Sequence, residues 1–186
     1  MEIKRLLIFI GVIIAVSIAC NMPISGRQAP AETIPISTEA VLSLEENISA
    51  AIQQAKENGK VTLVVTESQL TSYMAFEVTS QPEMPVKDVQ VYLRDGQVQV
   101  YANATQDNMT APVQMTLIAN TDENGKISFE VVSAKIGPFP LPNSILNEIS
   151  AEFDQAFQQT LQASGSIVYI ESIVIANGTM TIQGHI

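Results

Sequence analysis

Residues 89–102 read VQVYLRDGQVQVYA, and this stretch decides the fold class. Val89, Val91 and Leu93 alternate with Gln90, Tyr92 and Arg94. Beyond Asp95-Gly96, Val98, Val100 and Ala102 alternate with Gln97, Gln99 and Tyr101. A period of two puts the first set on one face of a strand and the second on the other. Asp-Gly between two such runs signals a tight turn, because a two-residue hairpin turn needs positive φ at its centre. The stretch predicts an antiparallel hairpin with one apolar face. The pattern continues downstream. Val113, Met115, Leu117 and Ala119 line one side of a third strand, a turn falls at Asp122 to Gly125, and Ile127, Phe129 and Val131 line a fourth strand.

Helical signals flank this run of hairpins. Ser37 or Thr38 can cap a helix to about Glu57, with Val41, Leu44, Ile48, Ile52 and Ala55 at helical spacing and Asn58-Gly59 as its stop. Val61 to Thr66 is a β-branched strand. Thr66-Glu67-Ser68-Gln69 then has the capping-box pattern that opens a short helix. Residues 78–86 are expected to form a proline-containing loop. Gly137-Pro138-Phe139-Pro140-Leu141-Pro142 carries three prolines and is expected to stop both helix and sheet pairing. A long helix follows from Asn143 to about Gln162, with Ile145, Leu146, Ile149, Phe153, Ala156, Phe157 and Leu161 on one stripe. Glu148, Glu152 and Asp154 fall outside that stripe. A last hairpin turns at Asn177-Gly178. The class is α+β: a twisted antiparallel sheet whose apolar face is covered by amphipathic helices.

Composition narrows the function. The chain has 186 residues, 46% of them apolar, and a net charge of −10. That apolar share can fill a core. The acidic balance argues against nucleic acid, whose phosphates need clustered Lys and Arg. One Cys leaves no intrachain disulfide framework, and one His, His185, leaves no multi-His metal centre and makes a His-based triad improbable. Glu148 and Glu152 are one helical turn apart and read as a solvated face rather than an acid/base pair. Asp122 to Gly125 lacks the alternating ligands of a calcium loop and reads as a turn. Asn-X-Ser/Thr occurs at Asn47, Asn103, Asn108 and Asn177 and reads as surface composition. No enzyme activity, metal or cofactor is expected.

The first nineteen residues, MEIKRLLIFIGVIIAVSIA, read as a signal peptide. Lys4 and Arg5 form a basic start, and Leu6 to Ala19 is a charge-free run of fourteen residues. As a helix it would reach only about 21 Å, short of the ~30 Å hydrocarbon core. It ends in Ser17-Ile18-Ala19-Cys20, which looks like a bacterial lipobox. Cys20 is then the candidate lipidation site, carrying diacylglycerol and an acyl group such as palmitate, and two or more chains give stable attachment; the alternative is an uncleaved anchor helix or an ordinary signal peptide with Cys20 incidental. Residues 20–37 form the lipidated cysteine and a Pro-rich linker with Pro23, Pro30 and Pro35. Residues 38–186 form one domain.

An apolar surface is the informative feature. A Phe/Ile/Leu helix stripe faces a sheet of Val, Ile, Met and Leu. One outcome is a closed core. The other is an open groove for acyl chains, lined by Met74, Met115, Leu117, Phe129, Val131, Ile145, Ile149, Phe153 and Phe157. Flexible Met suits a groove whose guest varies in shape.

Residues 60–184 resemble the LmeA-like phospholipid-binding proteins of bacterial envelopes and the related YpmS-like membrane-associated proteins. The stretches that carry this are VTESQLTS from Val65, VKDVQVYLRDGQVQV from Val86, IGPFPLPNSIL from Ile136 and IANGTMTIQG from Ile175. The resemblance implies a curved sheet wrapped around a long helix, akin to half of a tubular lipid-binding (TULIP-like) domain, and an extracytoplasmic envelope location. The expected function is a membrane-anchored lipoprotein that binds phospholipid or another acyl-chain amphiphile without catalysis. The alternative is a closed-core structural or protein-interaction module of the envelope, docking through the Gly137–Pro142 turn and the loop at Val78–Val86.

Overall fold

The structure, a computed structural model, describes residues 30, 32–80, 85–106, 109–123, 125–163 and 169–186. The expected leader, Cys20 and most of the linker lie outside the described residues. In chain order the elements are α1 (Thr38–Asn58), β1 (Lys60–Thr66), α2 (Glu67–Ser80), β2 (Val86–Arg94), β3 (Gln97–Gln106) and β4 (Met109–Thr121). They continue with β5 (Ile127–Ile136), β6 (Phe139–Pro140), α3 (Asn143–Ala163), β7 (Tyr169–Ala176) and β8 (Thr179–His185).

Local chemistry explains the element boundaries. The Ser37 hydroxyl accepts the Ala40 amide, and Gly59 takes φ 75° to close α1 on Ala55. The capping box at Thr66 is reciprocal: the Gln69 amide donates to Thr66 Oγ1 at 3.2 Å, and the Thr66 amide donates to Gln69 Oε1 at 2.9 Å. α2 then runs to Ser80, so the expected loop at 78–86 begins later. Phe139 and Pro140 do pair, with Ile136 and Lys135, although the three prolines were expected to exclude pairing. The pairing is possible because β6 is an edge strand, where a missing N–H costs no ladder bond. Gly137, at φ 58°, supplies the first turn position ahead of Pro138.

The class is α+β, but the strands divide into two antiparallel sheets instead of one. The larger sheet has the order β2-β3-β4-β5-β6 and the smaller the order β1-β8-β7. The division has a physical reason at the borders of the larger sheet. On β2, the Leu93 amide donates to Glu67 Oε1 at 2.7 Å, and the Val91 amide donates to Thr71 Oγ1 at 2.9 Å. On β5, the Val131 amide donates to Ser150 Oγ at 2.9 Å, and the Phe129 amide donates to Asp154 Oδ1 at 2.6 Å. Each pair is spaced i, i+4 on its helix. That spacing rises about 6 Å, close to the ~6.8 Å of two strand residues. The helix side chains occupy the donors that a further strand would need, so the ladder of β1, β8 and β7 forms separately.

These pegs also decide where the helices lie. α2 is held over β2 and α3 over β5. α3 lies against β5, and its Ile145 and Phe153 keep 38% and 36% of their surface exposed. α1 packs on β1 and α2, burying Leu44, Ala51 and Ala55.

The smaller sheet docks on one end of the larger. The Gly178 amide donates to the Leu93 carbonyl, the Gly96 amide to the Ile175 carbonyl and the Ile170 amide to the Gly125 carbonyl. β7 therefore crosses the turns that follow β2 and β4, burying Ile170, Ile175 and Ile127. On the outer face, Gln90 bonds both backbone groups of Ile34, and the Tyr92 hydroxyl donates to the Glu32 carbonyl. Ile34 is buried against Tyr92 and Tyr101, whose rings meet edge to face at 5.6 Å.

Candidate functional site

Register aligns apolar side chains into rows across the inner face of the larger sheet. The first row is Leu93, Val98, Leu117 and Val131; the second is Val91, Val100, Met115 and Ala134. The third holds Ala102, Val113 and Ile136, with Val89 beside a bulge at Asp88, which takes φ 54°. The fourth holds Val86, Ala104 and Ala111.

The first two rows are mostly buried, with Val98 and Met115 half-covered, and burial falls in the rows beyond them apart from Val89 at 3% exposed. Leu93, Leu117 and Val131 are buried, as are Val91, Val100 and Ala134. Met115 is half-buried, as are Ala102 and Val113, and every member of the fourth row is half-buried. Two causes act together. The smaller sheet closes only the end that carries the first row, and the pegged helices cover the border strands. Side chains of α2 and α3 pack from opposite borders on the same core around Val100 and Leu117. Beyond that core the half-buried inner face of β3 and β4 is the floor of a partly covered apolar trough. Met74 and Val78 of α2 pack at one wall, and Leu141, Leu146 and Ile149 at the other. From Met115 to Met109 the floor runs six residues along β4, about 20 Å.

The nine expected lining residues divide accordingly. Leu117 and Val131 belong to the packed core. Phe129 and Phe157 meet edge to face at 5.3 Å and fill the space between β5 and α3 toward the closed end. Met74, Met115, Ile145, Ile149 and Phe153 keep accessible apolar surface along the trough. The arc from Leu146 through Phe153 and Ile149 to Ile145 is wider than the strip of sheet beneath α3. The most exposed members of that stripe, Ile145 and Phe153, are only partly covered.

Pattern reading missed Ser150 and Asp154, the residues that fix one wall. Asp154 reads as a residue outside the stripe, yet it holds the Phe129 amide. Thr71 is fully buried. A polar i, i+4 pair on the flank of an apolar stripe is the only signal that could have marked such residues.

The other candidate chemistry stays weak. A cavity of about 540 Å³ lies where the Asp95-Gly96 and Asn177-Gly178 turns meet, but its Glu67 is already bonded to Leu93 and Arg94. A cavity of about 80 Å³, lined mostly by the outer-face residues Tyr101, Gln114, Thr116, Ser133 and Lys135, also touches Met115. Neither lies in the trough. His185 stacks on Tyr169 at 4.8 Å, with Nδ1 2.8 Å from Glu171 Oε1, on an exposed part of the smaller sheet. Glu148 and Glu152 are exposed. Asp122 bonds the Lys126 amide through its side chain and the Gly125 amide through its carbonyl, as a turn requires. Among the described residues no three His, Cys, Asp or Glu side chains are grouped to hold a metal ion, and no described helix is long and apolar enough to cross a membrane.

Comparison with protein-family models, curated proteins and solved structures found no match to this chain.

Proposed function

We propose that this protein is an envelope lipoprotein, anchored through Cys20 on the extracytoplasmic side, that holds phospholipid or another acyl-chain amphiphile in the trough and does not transform it. The observation that carries the reading is the partly covered inner face of β3 and β4 beyond the buried Val100 and Leu117, apolar along its length and walled by α2 and α3. The half-tubular lipid-binding architecture implied by the resemblance belongs to this proposal. Burying ten CH₂ groups at ~0.8 kcal/mol each gives about 8 kcal/mol, enough to exceed an association cost of ~4 kcal/mol at its lower estimate.

A bulky side chain on the floor tests the reading. Val113 is half-buried at the centre of the third row, between Ala102 and Ile136. Val113→Phe should fold with wild-type stability and lose the amphiphile seen by native mass spectrometry on the chain purified from its membranes. A destabilisation of about 1–3 kcal/mol would show the space to be filled already. The second reading, a protein-interaction module, is favoured by the solid packing of the first row. A protein rather than an amphiphile on the purified chain would select it.

A further inference from the structure

The apolar rows do not end where the helices end. Beyond Ala111, β4 begins at Met109, which shares the inner face by the unbroken register with β3. Beyond Ile136, the turn at Gly137 returns the chain to Phe139, again on the inner face. Met109 and Phe139 are each 72% exposed, and Ile136 is 42% exposed. The two largest exposures among the described large apolar side chains therefore lie on the half of the larger sheet opposite the end closed by β7, Phe139 level with Val113 and Met109 four residues further out, about 17 Å apart by register.

Charge separates this end from the rest of the molecule. In a chain with a net charge of −10, residues 96–121 contain one charged side chain, Asp107, and residues 131–147 contain one, Lys135. With Lys87 and Asp88 at the start of β2 and Glu83 just before it, the sequence at this end carries two basic and three acidic side chains. An acidic protein is repelled from an anionic lipid surface, but an end with a net charge near −1 is repelled far less.

We propose that this end is seated in the interface of a phospholipid bilayer, with Met109 and Phe139 entering the boundary between headgroups and acyl chains. Resting on the lipid-binding reading, the same end is the mouth through which an amphiphile passes into the trough. The tether permits it. Twelve residues separate Cys20 from Glu32, whose carbonyl is held by Tyr92, and they can span up to about 40 Å. From the strap at Gln90, which pairs with Tyr101, the end of β3 at Gln106 is five residues away, about 17 Å. The membrane that holds the anchor is within reach of the apolar end.

The chain contains no Trp, so a single introduced Trp reports its own surroundings. Phe139→Trp and Met109→Trp replace exposed side chains. Val174→Trp is the control, on β7 and 57% exposed. The full-length variants are reconstituted in phosphatidylcholine vesicles with and without brominated acyl chains. Tryptophan at 139 and at 109 should shift to the blue and lose roughly half its intensity to bromine, as apolar groups do when buried 5–10 Å into the interface, with little change at 174. Equal quenching at all three positions, or none at 139 and 109, overturns the proposal. Native mass spectrometry of the same samples reports the amphiphile separately. Quenching without bound amphiphile upholds the membrane seat and sinks the lipid-carrying reading; bound amphiphile without quenching does the reverse.

Discussion

Replacing Thr71 with valine removes a hydroxyl and leaves the shape of the side chain nearly unchanged. Thr71 is fully buried, its Oγ1 accepts from the Val91 amide at 2.9 Å, and it donates to the Val91 carbonyl at a longer 3.3 Å. β2 is a border strand, so these outward backbone groups have no neighbouring strand to turn to. A buried amide left unsatisfied costs about 1–3 kcal/mol, and the weaker bond adds a fraction of that, so Thr71→Val should lose roughly 2–3 kcal/mol. That corresponds to about 4–12 °C in Tm for a chain of this size. Thr71→Ser is the matched variant. It keeps both hydrogen bonds and gives up one buried methyl, about 1 kcal/mol. Urea unfolding followed by far-ultraviolet circular dichroism should rank wild type above Ser and Ser above Val, with an unchanged slope against denaturant. If packing rather than the peg held α2 in place, Val would stand above Ser. That reversed order would refute the reasoning.

The other border should behave alike: Ser150→Ala with Asp154→Ala frees the Val131 and Phe129 amides, and self-association in sedimentation velocity is expected, whereas a monomer indistinguishable from wild type would oppose the pegging of α3. Tyr92→Phe removes the bond to Glu32 and should cost about 1 kcal/mol near neutral pH. Burial raises the Tyr92 pKa above the ordinary tyrosine value, against a smaller downward pull from Arg94. The contribution of its neutral hydroxyl is therefore full below the unfolded pKa of about 10 and fades as pH rises through the folded value. The stability gap between wild type and Tyr92→Phe, measured from pH 8 to 11.5, should narrow at the alkaline end; a constant gap would show that the phenol does not titrate with unfolding. Gly184→Ala drives a Cβ into the Tyr169 carbonyl, a backbone atom with no rotamer to yield, so a loss of about 2 kcal/mol or more is expected in the same urea assay.

Much of the fold is legible locally. The hairpins at Asp95-Gly96 and Asn177-Gly178, the capping box at Thr66 and the stop at Gly59 all express chemistry within a few residues, and the structure has each of them. The division into two sheets is not legible, because it depends on which backbone donors are already taken, and the takers lie 19–26 residues away from them along the chain. The strap at Ile34 is equally hidden: Gln90 reads as an outward polar residue until a segment 56 positions away is found beside it. Along the candidate trough, alternation places Met115 and Val113 on the apolar face and helical spacing places Ile145, Ile149 and Phe153 on one stripe. Neither tells Leu117, inside the packed core, from Met115, two residues back and half-covered. That difference arises where β7 docks, a contact with no local trace.

The pegs bear on motion as well as on position. Two fastenings define a line, and a body fixed along a line keeps one freedom, rotation about it. Ser150 and Asp154 fasten α3 along β5, and Glu67 and Thr71 fasten α2 along β2. For α2 that rotation is blocked by further bonds, the Ser37 amide to Ser72 Oγ and the Gln69 side-chain amide to Ser43 Oγ. The two walls are therefore unequally braced among the described residues, with α2 tied to α1 as well as to its strand.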